Sequence, residues 1–245
     1  MTLSVTVLGS SGSYAGAGNP CSGYLVRDGA TRVWLDCGPG TLGPLQEHLD
    51  LAELDGVVVT HSHPDHCLEL PVFRNALKYL LGVEGMPVYG PAGTLSTVEA
   101  ALGDGVAPTL DWRVIADGST FAIGGLAFGC SQTDHPVETM AVRVEDENGR
   151  AVAYSADTGP QWSFDRFAAP IDLAICEASL PPHEEGTFQH LSARQAADRA
   201  RAGAAGRLVL THLPPGTDAD ARRREAEDAF GGSVEVATPG NRYRV

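Results

Sequence analysis

Within six residues, directly after the apolar run Val57-Val58-Val59, the chain places His61, His63, Asp65 and His66, in the order His61-Ser62-His63-Pro64-Asp65-His66. A buried strand that ends in such polar side chains is costly unless something satisfies them, and a metal ion satisfies imidazoles and a carboxylate together. His61 and His63 are two positions apart, so in extended chain they point to the same side. Pro64 stops the strand, and a turn into a following helix swings Asp65 and His66 toward a neighbouring point. Two imidazoles can then serve one cation, and a carboxylate and an imidazole a second one nearby.

One cluster cannot close two coordination spheres, so further ligands should sit at other strand ends. His135 follows a strand-like segment in "CSQTDHP", Asp157 follows one in "VAYSADTGP", and His212 follows one in "LVLTHLPP". Each is a metal-competent group shortly past an apolar run. Any one alone reads as an ordinary hydrogen-bonded residue; four sites with the same strand-end pattern point to a shared metal centre. All-nitrogen and oxygen ligation without thiolate suits Zn²⁺, with Mn²⁺ as the alternative, and leaves positions open as catalysis requires.

The elements that must position these groups are short. Leu3–Leu8 alternates in the manner of a strand, and Tyr24–Arg27 and Thr31–Leu35 flank the hairpin signal Asp28-Gly29. Gly56–Thr60 reads as a strand, residues 68–81 as a helix, Met86–Tyr89 as a strand and Thr94–Leu102 as a helix. After the Gly/Pro-containing stretch 103–108, Thr120–Phe128 reads as one strand, and Thr139–Val144 and Ala151–Tyr154 flank the turn signal Asn148-Gly149. Leu173–Cys176 and Leu208–Thr211 are buried-type strands around a helix at Ser192–Ala202. A helix at Ala219–Phe230 and strands near Val234–Ala237 and Tyr243–Val245 close the chain. The pattern repeats in two halves split near residue 105, with no linker between them, and predicts a single domain over residues 1–245 built from two half-sandwiches around one core.

Composition narrows the function classes. The 245 residues are 43% hydrophobic and carry a formal net charge of −14, a surface that repels phosphate backbones and argues against long nucleic acid. The N-terminus shows neither a basic region nor an apolar run of signal-peptide length, and no stretch reaches membrane-spanning length; the expectation is a cytoplasmic protein without a membrane partner. Five cysteines form no CxxC pair and sit in or beside apolar runs, as small reduced core residues. "GSSGSYAGAG" has no Walker lysine and no GxGxxG, so it reads as a turn near the site. Arg222-Arg223-Arg224 reads as a helix face paired with Asp218, Asp220 and Glu227, and His48 as a surface residue. His183 lies in a loop, where it is a candidate substrate contact.

The cluster His61-Ser62-His63-Pro64-Asp65-His66 resembles the HxHxDH signature of the metallo-β-lactamase superfamily. "AVAYSADTGP" is similar to the "YSGDT" segment of its RNase Z and phosphodiesterase branch, "LAICEAS" to the "HEAT"-type segment, and "QHLSARQAADRA" to the "HST" segment. The resemblance runs in order from Val5 to about Pro215. It implies an α/β (α+β) four-layer αββα sandwich with a dinuclear site on one edge. His61, His63 and His135 would hold one metal, Asp65, His66 and His212 the other, and Asp157 would bridge them. Two such cations would bind the oxygens of a phosphodiester and acidify the attacking water. Asp65 can orient it and take its proton. The leaving alkoxide needs a proton, for which His190 is the candidate donor, its ring held in the correct tautomer by Glu177.

Two departures bear on substrate. Bacterial RNase Z enzymes insert a tRNA-gripping arm between the residues matching His135 and Asp157; here that interval holds only a hairpin. "HLS" stands in place of "HST". Armless members of the branch resemble cyclic nucleotide phosphodiesterases, so the expected reaction is hydrolysis of a small phosphodiester, with cyclic nucleotides the leading class. A thioester or lactone hydrolase is the alternative; a tRNA 3′-processing endonuclease and a non-enzymatic metal-binding protein rank lower. The branch's habit of forming homodimers implies one here.

Overall fold

Two seven-stranded sheets lie face to face, with helices on both outer faces, in the computed structural model, which describes residues 2–245. The first sheet runs in space as β14 (Arg242–Arg244), β1 (Ser4–Gly9), β2 (Gly23–Asp28), β3 (Thr31–Leu35), β4 (Gly56–Val58), β5 (Met86–Gly90) and β6 (Leu110–Val114). The second runs as β13 (Val234–Val236), β12 (Leu208–Thr211), β11 (Leu173–Glu177), β10 (Ala151–Tyr154), β9 (Met140–Glu145), β8 (Leu126–Gln132) and β7 (Thr120–Ile123). In each sheet antiparallel hairpins give way to parallel strands, from β3 onward in the first and from β10 onward in the second. This is the αββα sandwich that the resemblance implied.

Burial on both faces explains why the strands read as near-continuous apolar runs. Val5, Val7, Tyr24, Val26, Val58, Val142, Val152 and Ile175 point between the sheets. Their neighbours Leu8, Leu25, Trp34 and Val57 point outward beneath the helices α1 (Leu42–Gln46), α3 (Leu70–Ala76) and α4 (Ala92–Leu102). On the far side Ala153, Cys176 and Leu210 pack under α5 (Ala193–Ala202) and α6 (Ala219–Phe230). All five cysteines are free and buried, and burial pushes thiols such as Cys67 and Cys130 up to about 12, so they belong to the core as expected. No helix among the described residues is long and apolar enough to cross a membrane.

Several boundaries differ from expectation. The helix expected at 68–81 starts earlier, as α2 (Pro64–Cys67), restarts as α3, and ends in a π-helical turn over Leu77–Leu81. Pro64 and Pro71 each sit in a first helical turn, where proline's missing N–H is harmless, and so divide the segment. Thr120–Phe128 is not one strand but part of a hairpin, in which Ile123 pairs with Leu126 across Gly124-Gly125. Strand β6, an edge strand with Asp111, Arg113 and Val114 exposed, carries no apolar run and escapes periodicity. The change of sheet therefore falls between Val114 and Thr120 rather than near residue 105. The last strand crosses back to pair with β1.

Candidate functional site

The parallel strands and their neighbours deliver polar groups to one place. His61, His63, Asp65 and His66 follow β4, His135 follows β8, Asp157 follows β10, and His212 follows β12. One set of ligand atoms comes from His61, His63, His135 and Asp157 and another from Asp65, His66 and His212, with the atoms of each set within 4.8 Å of one another. Asp157 stands between them. Its Oδ2 is 3.6 Å from His61 Nε2 and 3.8 Å from His135 Nε2, while its Oδ1 is 3.3 Å from His66 Nε2 and 3.4 Å from His212 Nε2. The seven residues predicted as ligands are thus brought together from both sheets.

The surrounding hydrogen bonds fix which nitrogen of each ring faces inward. His66 Nδ1 donates to Asp36 (2.8 Å) and His135 Nδ1 to the Gln189 carbonyl (3.2 Å), because those oxygens can only accept. Thr60 Oγ1 gives its proton to Asp36, so it accepts from His61 Nδ1 at 3.0 Å. Ser179 Oγ gives its proton to Glu177 Oε2 and accepts from His212 Nδ1 at 2.8 Å. All four rings therefore carry a proton on Nδ1 for the outer partner and turn Nε2 toward the centre, the arrangement that outer hydrogen bonds impose on metal-binding histidines. His61 Nε2, His66 Nε2 and Asp157 Oδ1 are buried there without any hydrogen-bond partner among the described residues. Such orphaned atoms are costly, and divalent cations satisfy them. The residues fit the expected metals.

Electrostatics agree. Burial lowers the pKa of His61 to about 4 and lowers those of His63 and His135. Burial also opposes charge on His66, but Asp157 and Asp36 outweigh it and push its pKa well above the ordinary value. For Asp65 and Asp157 burial works against ionisation, yet the surrounding histidines hold both carboxyls well below the usual range. The centre is a buried pocket of lone pairs and carboxylates that favours positive charge.

Beside it stands a second pair. His190 Nδ1 donates to Glu177 Oε1 at 2.8 Å, and Glu177 is fully buried, held also by the amides of Thr158, Ser179 and Leu191. Burial alone would lower the His190 pKa; Glu177, with Asp157, more than offsets this and the ring is pushed up to about 9. His190 lines two cavities, one of about 640 Å³ with His63, His135 and Asp134, the other of about 470 Å³ with Ser13 and Ser179.

Sequence reasoning missed Asp36, Thr60 and Ser179, which touch the ligands rather than the centre, and Tyr154, which donates to Asp36. Asp36 was within reach, since it follows the apolar end of β3 just as the ligands follow theirs. The glycine-rich loop lies against the site as expected: a Cβ on Gly12 would stand 2.5 Å from the His212 carbonyl oxygen, so only glycine fits, and Ser13 N donates to Asp65 at 2.7 Å. His48 and His183 are on the surface, the latter with its side chain 79% exposed beside Glu184 and lining neither cavity. Two of the three arginines are self-paired, with partly different partners: Arg222 meets Glu225 rather than Asp218, and Arg223 meets Glu227 and also Asp220, the partner expected for Arg224.

Comparison with known proteins gives a consistent result. The profile of the "Beta-lactamase superfamily domain" matches residues 31–213. The chain is 34% identical over 258 residues to the uncharacterized protein Rv1339 of Mycobacterium tuberculosis, covering 100% of this chain and 93% of the relative. It is 31% identical over 247 residues to "Probable metallo-hydrolase YhfI" of Bacillus subtilis, covering 97% and 98%. The crystal structure of the metallo-β-lactamase-fold protein YhfI superposes with a TM-score of 0.91 at 28% identity over the whole of both chains. That of human tRNase Z, short form, shares the fold with a TM-score of 0.77 at 20% identity over 98% of each chain.

Proposed function

From the premise that the chain belongs to the metallo-β-lactamase superfamily, in its RNase Z-like branch, we propose that this metallo-hydrolase is a phosphodiesterase acting on small substrates, with cyclic nucleotides the leading class. Two divalent ions, Zn²⁺ foremost, held by His61, His63, His135, Asp65, His66 and His212 with Asp157 shared, would neutralise phosphate charge and acidify water. The chain's own groups supply the rest. Asp65, its Oδ2 held by the Ser13 amide, keeps its other oxygen to orient the attacking water and accept its proton. His190 uses Nδ1 on Glu177, which leaves Nε2 to protonate the leaving oxygen. Glu177 positions that ring and stabilises its charged form.

The observation that carries the reading is the His190–Glu177 pair beside the ligand cluster. An alkoxide leaves poorly without a proton, whereas a thiolate leaves unaided, so a built-in acid suits a phosphodiester better than a thioester. A small substrate is favoured by the short hairpin that fills the interval from His135 to Asp157 and by the −14 net charge. The test is turnover, with Zn²⁺ or Mn²⁺ supplied, of 3′,5′- and 2′,3′-cyclic nucleotides, aryl phosphodiesters, thioesters, lactones and precursor tRNA. His190→Ala should lower kcat on cyclic nucleotides by about 10²–10⁴-fold and on p-nitrophenyl diesters far less, because p-nitrophenoxide needs no acid. Full turnover by His190→Ala on every substrate, or cleavage of thioesters or lactones alone, would replace this reading with a carbonyl hydrolase.

A further inference from the structure

The two cavities that meet at His190 differ in chemistry. Both also share Phe188, whose ring is 64% exposed at their common lip. The larger contains no lysine or arginine. The smaller contains Arg222, on the first turns of α6, with walls of Leu180, Pro181 and Pro214. The Arg222 side chain is only 13% exposed, and its Nε is buried without a hydrogen-bond partner among the described residues. Its charge, however, is already met by Glu225, 3.2 Å from Nη1, and Glu184 adds a further carboxylate to the same cavity.

An arginine with spare donors but a neutralised charge, set among apolar walls beside an exposed aromatic ring, suits a planar neutral group with acceptor atoms on its edge. It does not suit a second anion. A nucleobase has that chemistry: its face stacks on an aromatic ring, and its edge accepts hydrogen bonds from a guanidinium. We infer that this cavity of about 470 Å³ is the base subsite of the enzyme, with Phe188 as its stacking face and Arg222 as the residue that reads the base edge. The inference rests on the phosphodiesterase reading and deepens it: the substrate is a nucleotide diester whose base lies on the Ser13–Arg222 side of His190. A diester of similar reactivity without a base forgoes these contacts.

The test compares two substrates in the metal-loaded enzyme: a 3′,5′-cyclic nucleotide, and 1-deoxyribofuranose 3′,5′-cyclic phosphate, the same cyclic diester without a base. In Arg222→Met the ratio of kcat/KM for the nucleotide to that for the baseless diester should fall about tenfold to a hundredfold, through KM. Phe188→Ala should lower the same ratio several-fold; it touches no ion pair and covers the case in which Arg222→Met fails to fold. Arg222→Lys keeps the charge but not the planar fork, so the ratio should stay low. A ratio unchanged in both Arg222→Met and Phe188→Ala overturns the base subsite alone, and a ratio fully restored by lysine overturns it in favour of anion recognition. A wild-type enzyme that cleaves neither diester overturns the phosphodiesterase reading itself.

Discussion

Asp36 sits among four donors: His66 Nδ1 at 2.8 Å, the Thr60 amide at 2.8 Å, the Thr60 hydroxyl at 3.0 Å and the Tyr154 hydroxyl at 3.1 Å. It is fully buried and takes a left-handed backbone with φ of 58°, a conformation that non-glycine residues adopt only when their surroundings hold them there. Its carboxylate thereby orients two rings, His66 directly and His61 through Thr60. In Asp36→Asn the amide NH₂ must face a donor, so His66 loses either its tautomer or its orientation. Metal affinity should drop about tenfold to a hundredfold, as measured by competitive Zn²⁺ titration with a chromophoric chelator, while the far-ultraviolet circular dichroism stays native. Undiminished affinity would show that Asp36 serves the core alone. At this scale the ligands could be read from the sequence because each is a metal-competent side chain within a few residues of the end of an apolar run. Ser179 and Tyr154 could not, because a hydroxyl's role depends on which ring or carboxylate it meets in space.

Hairpins and buried parallel strands are the elements that local sequence specifies best. Asn148-Gly149 lies in the β9–β10 connection, and Asp146 organises it, accepting from the amides of Asn148 (2.9 Å) and Arg150 (3.0 Å) and from Arg150 Nε (2.6 Å). The turn matters to the site because β10 delivers Asp157. Burial would raise the Asp146 pKa, but Arg150 and the two amides more than offset it, so the carboxyl is held below 3.8. A carboxyl with a depressed folded pKa stabilises the protein above its unfolded pKa, and that contribution is lost as pH falls through the folded value. Asp146→Asn should therefore destabilise at pH 7 by about 1–3 kcal/mol, and the gap from wild type should begin to narrow below about pH 4 and close once the pH is under the folded value. Urea melts at the two pH values check this; an equal gap at both would exclude the charge as the cause. The elements that local pattern missed fail for tertiary reasons. Strand β6 is held by pairing with β5 along an edge that needs no apolar run, and β7 and β8 share one apolar stretch that only the Gly124-Gly125 turn divides.

The whole molecule is joined at its site. His61, His63, Asp65 and His66 belong to the first sheet, whereas His135, Asp157 and His212 belong to the second. A cation held by either set would link the two layers in addition to the core between them. The chain's imbalance of 31 acidic to 17 basic side chains further favours the cation-bound form. Ions that bind the folded state and not the unfolded one stabilise by mass action, by about 2.7 kcal/mol per site at a hundredfold excess over Kd. For a protein of this size that raises Tm by roughly 5–10 °C per site. Wild-type protein stripped with a chelator should melt lower by that amount and recover on adding Zn²⁺ or Mn²⁺. In His212→Ala the response should shrink to about that of one site, because His61, His63, His135 and Asp157 still form a set. In Asp157→Ala, which removes the carboxylate facing both sets but leaves three ligands to each, it should shrink at both sites. A wild-type Tm that moves with neither chelator nor metal would mean that the two sheets close on their own and that the cluster holds no cation.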